Sequence, residues 1–303
     1  MKKGINLSVI RCENLRFSRQ GTEVLHGINF TINEGGIVGL LGKNGAGKTT
    51  TINLLMGFLS PDSGDCHIYD APSDRLPASI RADVGLLHEG FIQYNFMTIA
   101  EVERYYSRFY PKWQADVFWD LVGRMQIPPS RRIARLSCGQ RSQVTLGLLL
   151  AQQASVLILD DFSLGLDVGY RRLFLEFLRD YVQRTGATVL LTSHVVSELE
   201  DFLDHVIVIQ KGDILCNCSR EAFLQRYRGY QLPRNEATMK LNANGRSIIN
   251  IDHGANTINL YSELDPRAMQ AYLSGTPAAD TLSALKEIPL GFEDTFVGLT
   301  GRY

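Results

Sequence analysis

The residues Gly42-Lys43-Asn44-Gly45-Ala46-Gly47-Lys48-Thr49 constrain this chain more than any other feature. They fit the pattern G-x-x-x-x-G-K-[ST], and they lie between an apolar run, residues 36–41, and a helically spaced stretch, residues 49–58. A run that is apolar throughout suits a strand buried on both faces, so the motif occupies a strand-to-helix turn. Glycines at 42, 45 and 47 let the backbone curl until its N–H groups converge on phosphate oxygens, and the new helix adds its N-terminal dipole. Lys48 then reaches the outer phosphates and the Thr49 hydroxyl holds Mg²⁺. A turn without a ligand has no need of Lys-Thr at the helix start.

Composition narrows the remaining classes. With 31 Lys+Arg against 32 Asp+Glu in 303 residues, the chain has no global electrostatic reason to bind nucleic acid or anionic lipid. Neither apolar stretch, 35–42 nor 144–159, reaches the roughly 18–20 uninterrupted residues of a membrane span. Met1-Lys2-Lys3 has no apolar core behind it, so no secretory signal is expected and the chain is placed in the cytosol. Cysteines at 12, 66, 138, 216 and 218 form an odd, scattered set that reads as reduced thiols, and Cys216-x-Cys218 lacks the second pair of a metal site.

Buried-strand runs recur at 156–159, 188–192 and 206–209, with helical periodicity at 139–153 and 168–183. This alternation predicts a mostly parallel sheet covered by helices. Lys211-Gly212-Asp213 then signals a hairpin and Ser219 a cap for a short helix to about Tyr227. Residues 229–235 read as a linker. Beyond it, 237–241 and 246–251 flank an Asn242-Ala243-Asn244-Gly245 turn, 257–261 is a third strand, and Asp265-Pro266 opens a helix. A small α+β domain is therefore expected over 229–303, after a main domain over 1–228.

The apolar run 156–159 ends in Asp160-Asp161. A strand end brings Asp160 beside the phosphate loop, where its charge holds magnesium, usually through water, and aims Asp161 at the γ-phosphate to orient the attacking water.

Leu136-Ser137-Cys138-Gly139-Gln140, upstream of that acid pair, resembles the LSGGQ signature of the ATP-binding subunits of ABC transporters, with Cys138 in place of a glycine. Ser163 to Asp167 is similar to the D-loop and Thr192-Ser193-His194 to the H-loop of that family. The resemblance implies an α/β fold: a P-loop NTPase-type ABC ATPase domain with a helical signature subdomain at about 90–153, plus the C-terminal α+β domain. It implies that ATP is bound by Gly42, Asn44, Gly45, Ala46, Gly47, Lys48, Thr49 and Thr50, with Phe17 stacked on adenine. Ser137, Gly139 and Gln140 would cover the ATP held by a second subunit. Catalysis would fall to Lys48, Glu89, Asp161 and His194, and Mg²⁺ to Thr49, Asp160 and Glu89.

Two positions depart from the pattern. The family's catalytic base is normally glutamate, and Asp161 is shorter by one carbon–carbon bond of roughly 1.5 Å; slow hydrolysis is expected. Glu89 stands at the usual glutamine of the Q-loop, unless Gln93 serves.

Between that loop and the signature, residues 91–97 and the aromatics Tyr105, Tyr106, Phe109, Tyr110, Trp113, Phe118 and Trp119 divide between a helical core and the groove where the family receives a membrane subunit. Phe109-Tyr110-Pro111-Lys112-Trp113 and the terminal segment 289–301 resemble bacterial exporters with ABC-2-like permeases. Phe292, Phe296 and Leu299 share one helical face, expected to pack on the small sheet or on a partner subunit. The expectation is an ATPase that dimerises around two ATP and drives a separate transmembrane permease. It would sit on the cytoplasmic face of the cell membrane as a homodimer or with a related ATPase. The alternative is a permease-independent, ATP-gated switch with very slow turnover.

Overall fold

The computed structural model describes residues 8–88, 94–162, 166–193 and 195–301. The chain runs β1 (Ser8–Arg19), β2 (Thr22–Asn33), β3 (Gly36–Leu41), α1 (Lys48–Leu55), β4 (Ser63–Ile68), β5 (Ala71–Pro72), α2 (Ala78–Arg81) and β6 (Val84–Leu87). It continues through α3 (Ile99–Tyr106), α4 (Ala115–Gly123), α5 (Cys138–Ala151), β7 (Val156–Leu159), α6 (Val168–Thr185), β8 (Thr188–Ser193), β9 (His205–Gln210) and β10 (Asp213–Ser219). The remainder is α7 (Arg220–Arg226), β11 (Arg228–Pro233), β12 (Asn250–His253), β13 (Thr257–Ser262), α8 (Pro266–Ser274), β14 (Lys286–Ile288) and α9 (Phe292–Thr300).

The central sheet has the order β10-β9-β3-β8-β7-β6, parallel except for β10. Its apolar strands are covered on both faces, and alternate residues divide between two cores. Ile37, Leu157, Leu159, Val189 and Val206 join α5 and α6 on one side. Val38, Leu40, Ile158, Leu190 and Ile207 face α1 and a second, antiparallel sheet of order β2-β1-β4-β5 on the other. The sequence reading had no place for this second sheet, because β1 bulges repeatedly against β2 and its alternation is broken.

Helix α1 was expected to run to Phe58 but stops at Leu55. Gly57 turns left-handed at φ 68°, and a Cβ there would lie 2.4 Å from the Ser73 carbonyl. The helical subdomain has its own core, in which Phe118 is fully buried beside Val102 and Val144. Thr98 and Glu101 close a reciprocal capping box at the start of α3.

The last 75 or so residues, by the reading of the chain into domains, build a third sheet of order β12-β13-β11-β14. Residues 229–233, read as linker, belong to β11, one of its two inner strands: Tyr230 and Leu232 alternate into the core, and Pro233 stands at the strand's end. Residues 237–241 hold a 3₁₀ turn over Thr238–Lys240 instead of a strand. Thr238 Oγ1 donates to the carbonyls of Pro233 and Asn235, which keeps that backbone curled. The turn at 242–245 leads to a strand only at Asn250, because Asn244 Oδ1 accepts the N–H groups of Arg246, Ser247 and Ile248.

Helix α9 packs against the first of the two main cores. Phe292 is fully buried, its ring 5.2 Å from that of Phe223 in α7, and Phe296 and Leu299 belong to the same cluster. The expected small-sheet contact falls instead to Gly298, where a Cβ would meet the Tyr261 ring at 2.2 Å. Among the described residues no helix is long and apolar enough to cross a membrane.

Candidate functional site

Strand β3 delivers the loop 42–47 to the start of α1, as the motif requires. Two of its glycines have no alternative. A Cβ on Gly42 would lie 2.4 Å from the Ile209 carbonyl, and Gly47, at φ 110°, would place one 2.6 Å from Leu25. The β9–β10 hairpin walls the loop, with Gly212 N–H donating to Ala46 O at 3.1 Å. Phe17 lies half-buried in β1 opposite Leu25, so the residue that blocks a side chain at Gly47 is also the cross-strand neighbour of the expected adenine platform.

Lys48 is buried and donates from Nζ to the carbonyls of Gly42 at 2.7 Å and Lys43 at 3.1 Å. Burial lowers the pKa of its ammonium, opposed by Asp161 and then Asp160. Desolvation, followed by Lys211, lowers Lys43 in the same way. Lys211 was read only as a hairpin residue. Its position at the loop's wall adds a third cation, and like charges gathered around curled N–H groups suit an anion.

Asp160 ends β7 and is 1% exposed. Its Oδ1 accepts from Thr49 Oγ1 at 3.2 Å and Thr192 Oγ1 at 2.9 Å. Thr192 Oγ1 also accepts the Asp161 N–H at 2.8 Å, so one hydroxyl ties both acids together. Asp161 takes a left-handed backbone at φ 45°. Asp160 Oδ2 has no hydrogen-bond partner among the described residues. A buried carboxylate oxygen with no hydrogen-bond partner among the described residues, beside a hydroxyl, fits a hard divalent cation held by Thr49 and Asp160; such an ion would neutralise charge on terminal phosphates.

Residues 25–163 match the family model described as ABC transporter. Over residues 25–163 the chain carries an ABC transporter ATP-binding domain. It is 29% identical over 291 residues to "Nod factor export ATP-binding protein I" of Burkholderia orbicola (strain AU 1054), covering 92% of each chain. It is also 29% identical over 211 residues to "ABC transporter ATP-binding protein NatA" of Bacillus subtilis (strain 168), covering 68% of this chain and 85% of the relative. The solved "Structure of ATP binding subunit of ABC transporter" superposes with a TM-score of 0.64 at 23% identity, over 71% of this chain and 92% of that one; the likeness is one of fold.

The signature of this ABC domain opens α5. Ser137 Oγ accepts the Gln140 N–H and Gln140 Oε1 accepts the Ser137 N–H, a reciprocal capping box. Gly139 lies against Tyr170 of α6, whose ring a Cβ would meet at 2.2 Å. The signature thus has packing reasons for its serine, second glycine and glutamine, besides any contact with a second subunit's nucleotide. Glu89, Gln93, His194 and the D-loop residues 163–165 lie outside the described residues.

Sequence reasoning passed over three residues that the fold brings to Asp160. Thr192 was read as part of the H-loop string without a role of its own. His88 was read only as part of the strand leading into the Q-loop, and Asn53 carried no motif. Register is the signal that could have found His88: two parallel strands paired Leu87 to Leu159 set His88 beside Asp160.

Proposed function

We propose that this chain hydrolyses ATP as a Mg²⁺ complex, within a dimer, to drive a separate transmembrane permease of the export type. The observation that carries the reading is the pairing of Thr49 with the buried Asp160, whose second oxygen is left for a cation beside the phosphate loop. Asp161 is the base that orients water, and Glu89 and His194 complete the reading from the family pattern. Ser137 and Gly139 open α5 while Lys48 and Thr49 open α1, so one chain carries two helix N-termini suited to phosphate. In this reading each site takes the loop of one subunit and the signature of the other.

The permease-facing surface is the aromatic ladder of the helical subdomain. Tyr94, Tyr105 and Phe109 follow one another at ring spacings of 5.2 and 5.1 Å, and Phe96 and Phe109 are 70% and 60% exposed. Bare aromatics of this kind suit an apolar helix from a membrane subunit, and would hold the protein on the inner face of the membrane. The export assignment is supported by the names of the relatives. The test is ATPase activity and gel filtration of the native chain and of Asp161→Asn. The variant should bind ATP, stop phosphate release and accumulate as a dimer; a variant that still turns over would remove Asp161 from its role. Co-purification of Phe96→Asp and Phe109→Asp variants with membranes tests the permease face.

A further inference from the structure

A second side chain approaches Asp160 from the strand beside it. Strands β6 and β7 pair in parallel with Leu87 opposite Leu159, and Asp160 N–H donates to Leu87 O at 2.8 Å. The next residue on each strand is His88 on one and Asp160 on the other, so the imidazole and the carboxylate leave the sheet together.

Helix α1 supplies the other half of the arrangement. Thr49 and Asn53 stand four apart, on one helical face. Thr49 Oγ1 donates to Asp160 Oδ1, and Asn53 Oδ1 lies 3.2 Å from His88 Nε2. An amide oxygen only accepts, so the proton of that bond sits on Nε2, and in that tautomer Nδ1 carries the ring's lone pair. His88 Nδ1 faces Asp160 Oδ2 across 3.7 Å. Oδ2 is the buried oxygen without a hydrogen-bond partner among the described residues. Two electron pairs therefore converge on one gap, and a cation is what such a gap accommodates. Ligands at about 2.0–2.2 Å from a common ion stand up to roughly 4 Å apart, so 3.7 Å lies within a single coordination sphere.

We propose that His88 is a nitrogen ligand to the metal of the bound metal–nucleotide complex, so that Mn²⁺ is held more tightly here than oxygen ligands alone would hold it, with Mg²⁺-ATP still accepted. The inference rests on the nucleotide-binding reading above. An imidazole adds little for Mg²⁺, which takes oxygen ligands and keeps its waters, whereas it raises affinity for Mn²⁺ and the metals after it. Held by Asn53, the ring is oriented before the ion arrives, which is the usual arrangement for a ligating histidine.

The experiment uses the full chain with Mn²⁺ and a non-hydrolysable ATP analogue. Analogue binding is measured first, by displacement of a fluorescent nucleotide. If the native chain does not bind, the nucleotide reading fails and this inference with it. With binding established, electron spin-echo modulation of the Mn²⁺ signal should show ¹⁴N coupling of a directly bonded imidazole. His88→Gln, which can still donate to Asn53, should lose that coupling while binding the analogue. Displacement of Mn²⁺ should need about tenfold more Mg²⁺ in the native protein than in the variant, the scale of effect seen when metal-site partners are altered. Absence of ¹⁴N coupling in the native protein, or an Mg²⁺ requirement equal in the two, overturns the proposal while leaving nucleotide binding in place.

Discussion

Thr192→Val isolates the hydroxyl that joins the two acids. The substitution keeps the branched shape and removes only polarity. Thr192 is fully buried, and its Oγ1 donates to Asp160 Oδ1 at 2.9 Å and accepts the Asp161 N–H at 2.8 Å. A hydrogen bond to a charged group contributes about 1.5–3 kcal/mol, and a buried N–H left unpaired costs about 1–3 kcal/mol. Thr49 still donates to the same Oδ1, which offsets part of the first loss. The expected destabilisation of the nucleotide-free protein is therefore about 2–4 kcal/mol. Urea unfolding followed by the fluorescence of Trp113 and Trp119 measures it.

The same change should act on catalysis through Asp161. That residue holds a left-handed backbone, a conformation that non-glycine residues keep only when neighbouring contacts impose it. Without its anchor the carboxylate loses its aim, and kcat should fall about 10–100-fold, within the range a positioned base supplies. ATP affinity, carried by the loop and Lys48, should change less than about threefold, a small shift by affinity arithmetic. Equal losses in kcat and affinity, or a stability change below about 0.5 kcal/mol, would refute the reasoning.

Phe292→Ala should cost about 3–5 kcal/mol, because the ring is fully buried against Phe223; a melting temperature within a degree of the native value would mean that α9 does not hold the main core. Cys138 is half-exposed at the start of α5, whereas Cys12, Cys66 and Cys216 are buried and burial pushes the Cys218 thiol up to about 12. Cys138 should therefore be the first thiol to react with a maleimide, and ATP should slow its labelling in Asp161→Asn if the signature closes over a partner's nucleotide. The His26–Asp213 pair, 3.0 Å apart, joins β2 to β10, and the hydrogen bond to Asp213 raises the pKa of His26. A raised folded pKa means stability present in full below the ordinary histidine value and lost as pH rises through the folded one. Thermal melts across about pH 5.5–8.5 should show that slope, and His26→Asn should flatten it.

Much of the central sheet was legible because its strands are apolar at every position and its loop has a fixed spacing. Residues 36–41 became β3 with the same bounds, and 156–159 became β7. What escaped had no local signal. Gly47 reads as a phosphate-loop glycine, but its freedom from a side chain also serves Leu25, a residue on another sheet. Tyr230 and Leu232 sit in a short stretch with Gly229 and Pro233, and those punctuating residues outweighed two buried side chains. Asn53, His88 and Thr192 gain their roles only when α1, β6 and β8 meet at the end of β7, which no spacing along the chain encodes.

The C-terminal segment is tied to the nucleotide loop by few steps. Gln210 Nε2, at the end of β9, donates to Thr300 O in α9 at 2.8 Å. Two residues further on, Gly212 donates to Ala46 of the loop, and a Cβ on Gly212 would lie 2.3 Å from Val24 O. The neighbouring Ile209 carbonyl is what forbids a side chain at Gly42. The hairpin is thus packed without slack between the phosphate loop on one side and α9 on the other. Close packing of this kind transmits displacement where a loosely tethered domain would absorb it. Since α9 also wedges Gly298 against Tyr261, the small sheet cannot shift relative to the central one without disturbing the helix that Gln210 holds. The end of the chain therefore buttresses β9, the strand whose hairpin walls the phosphate loop.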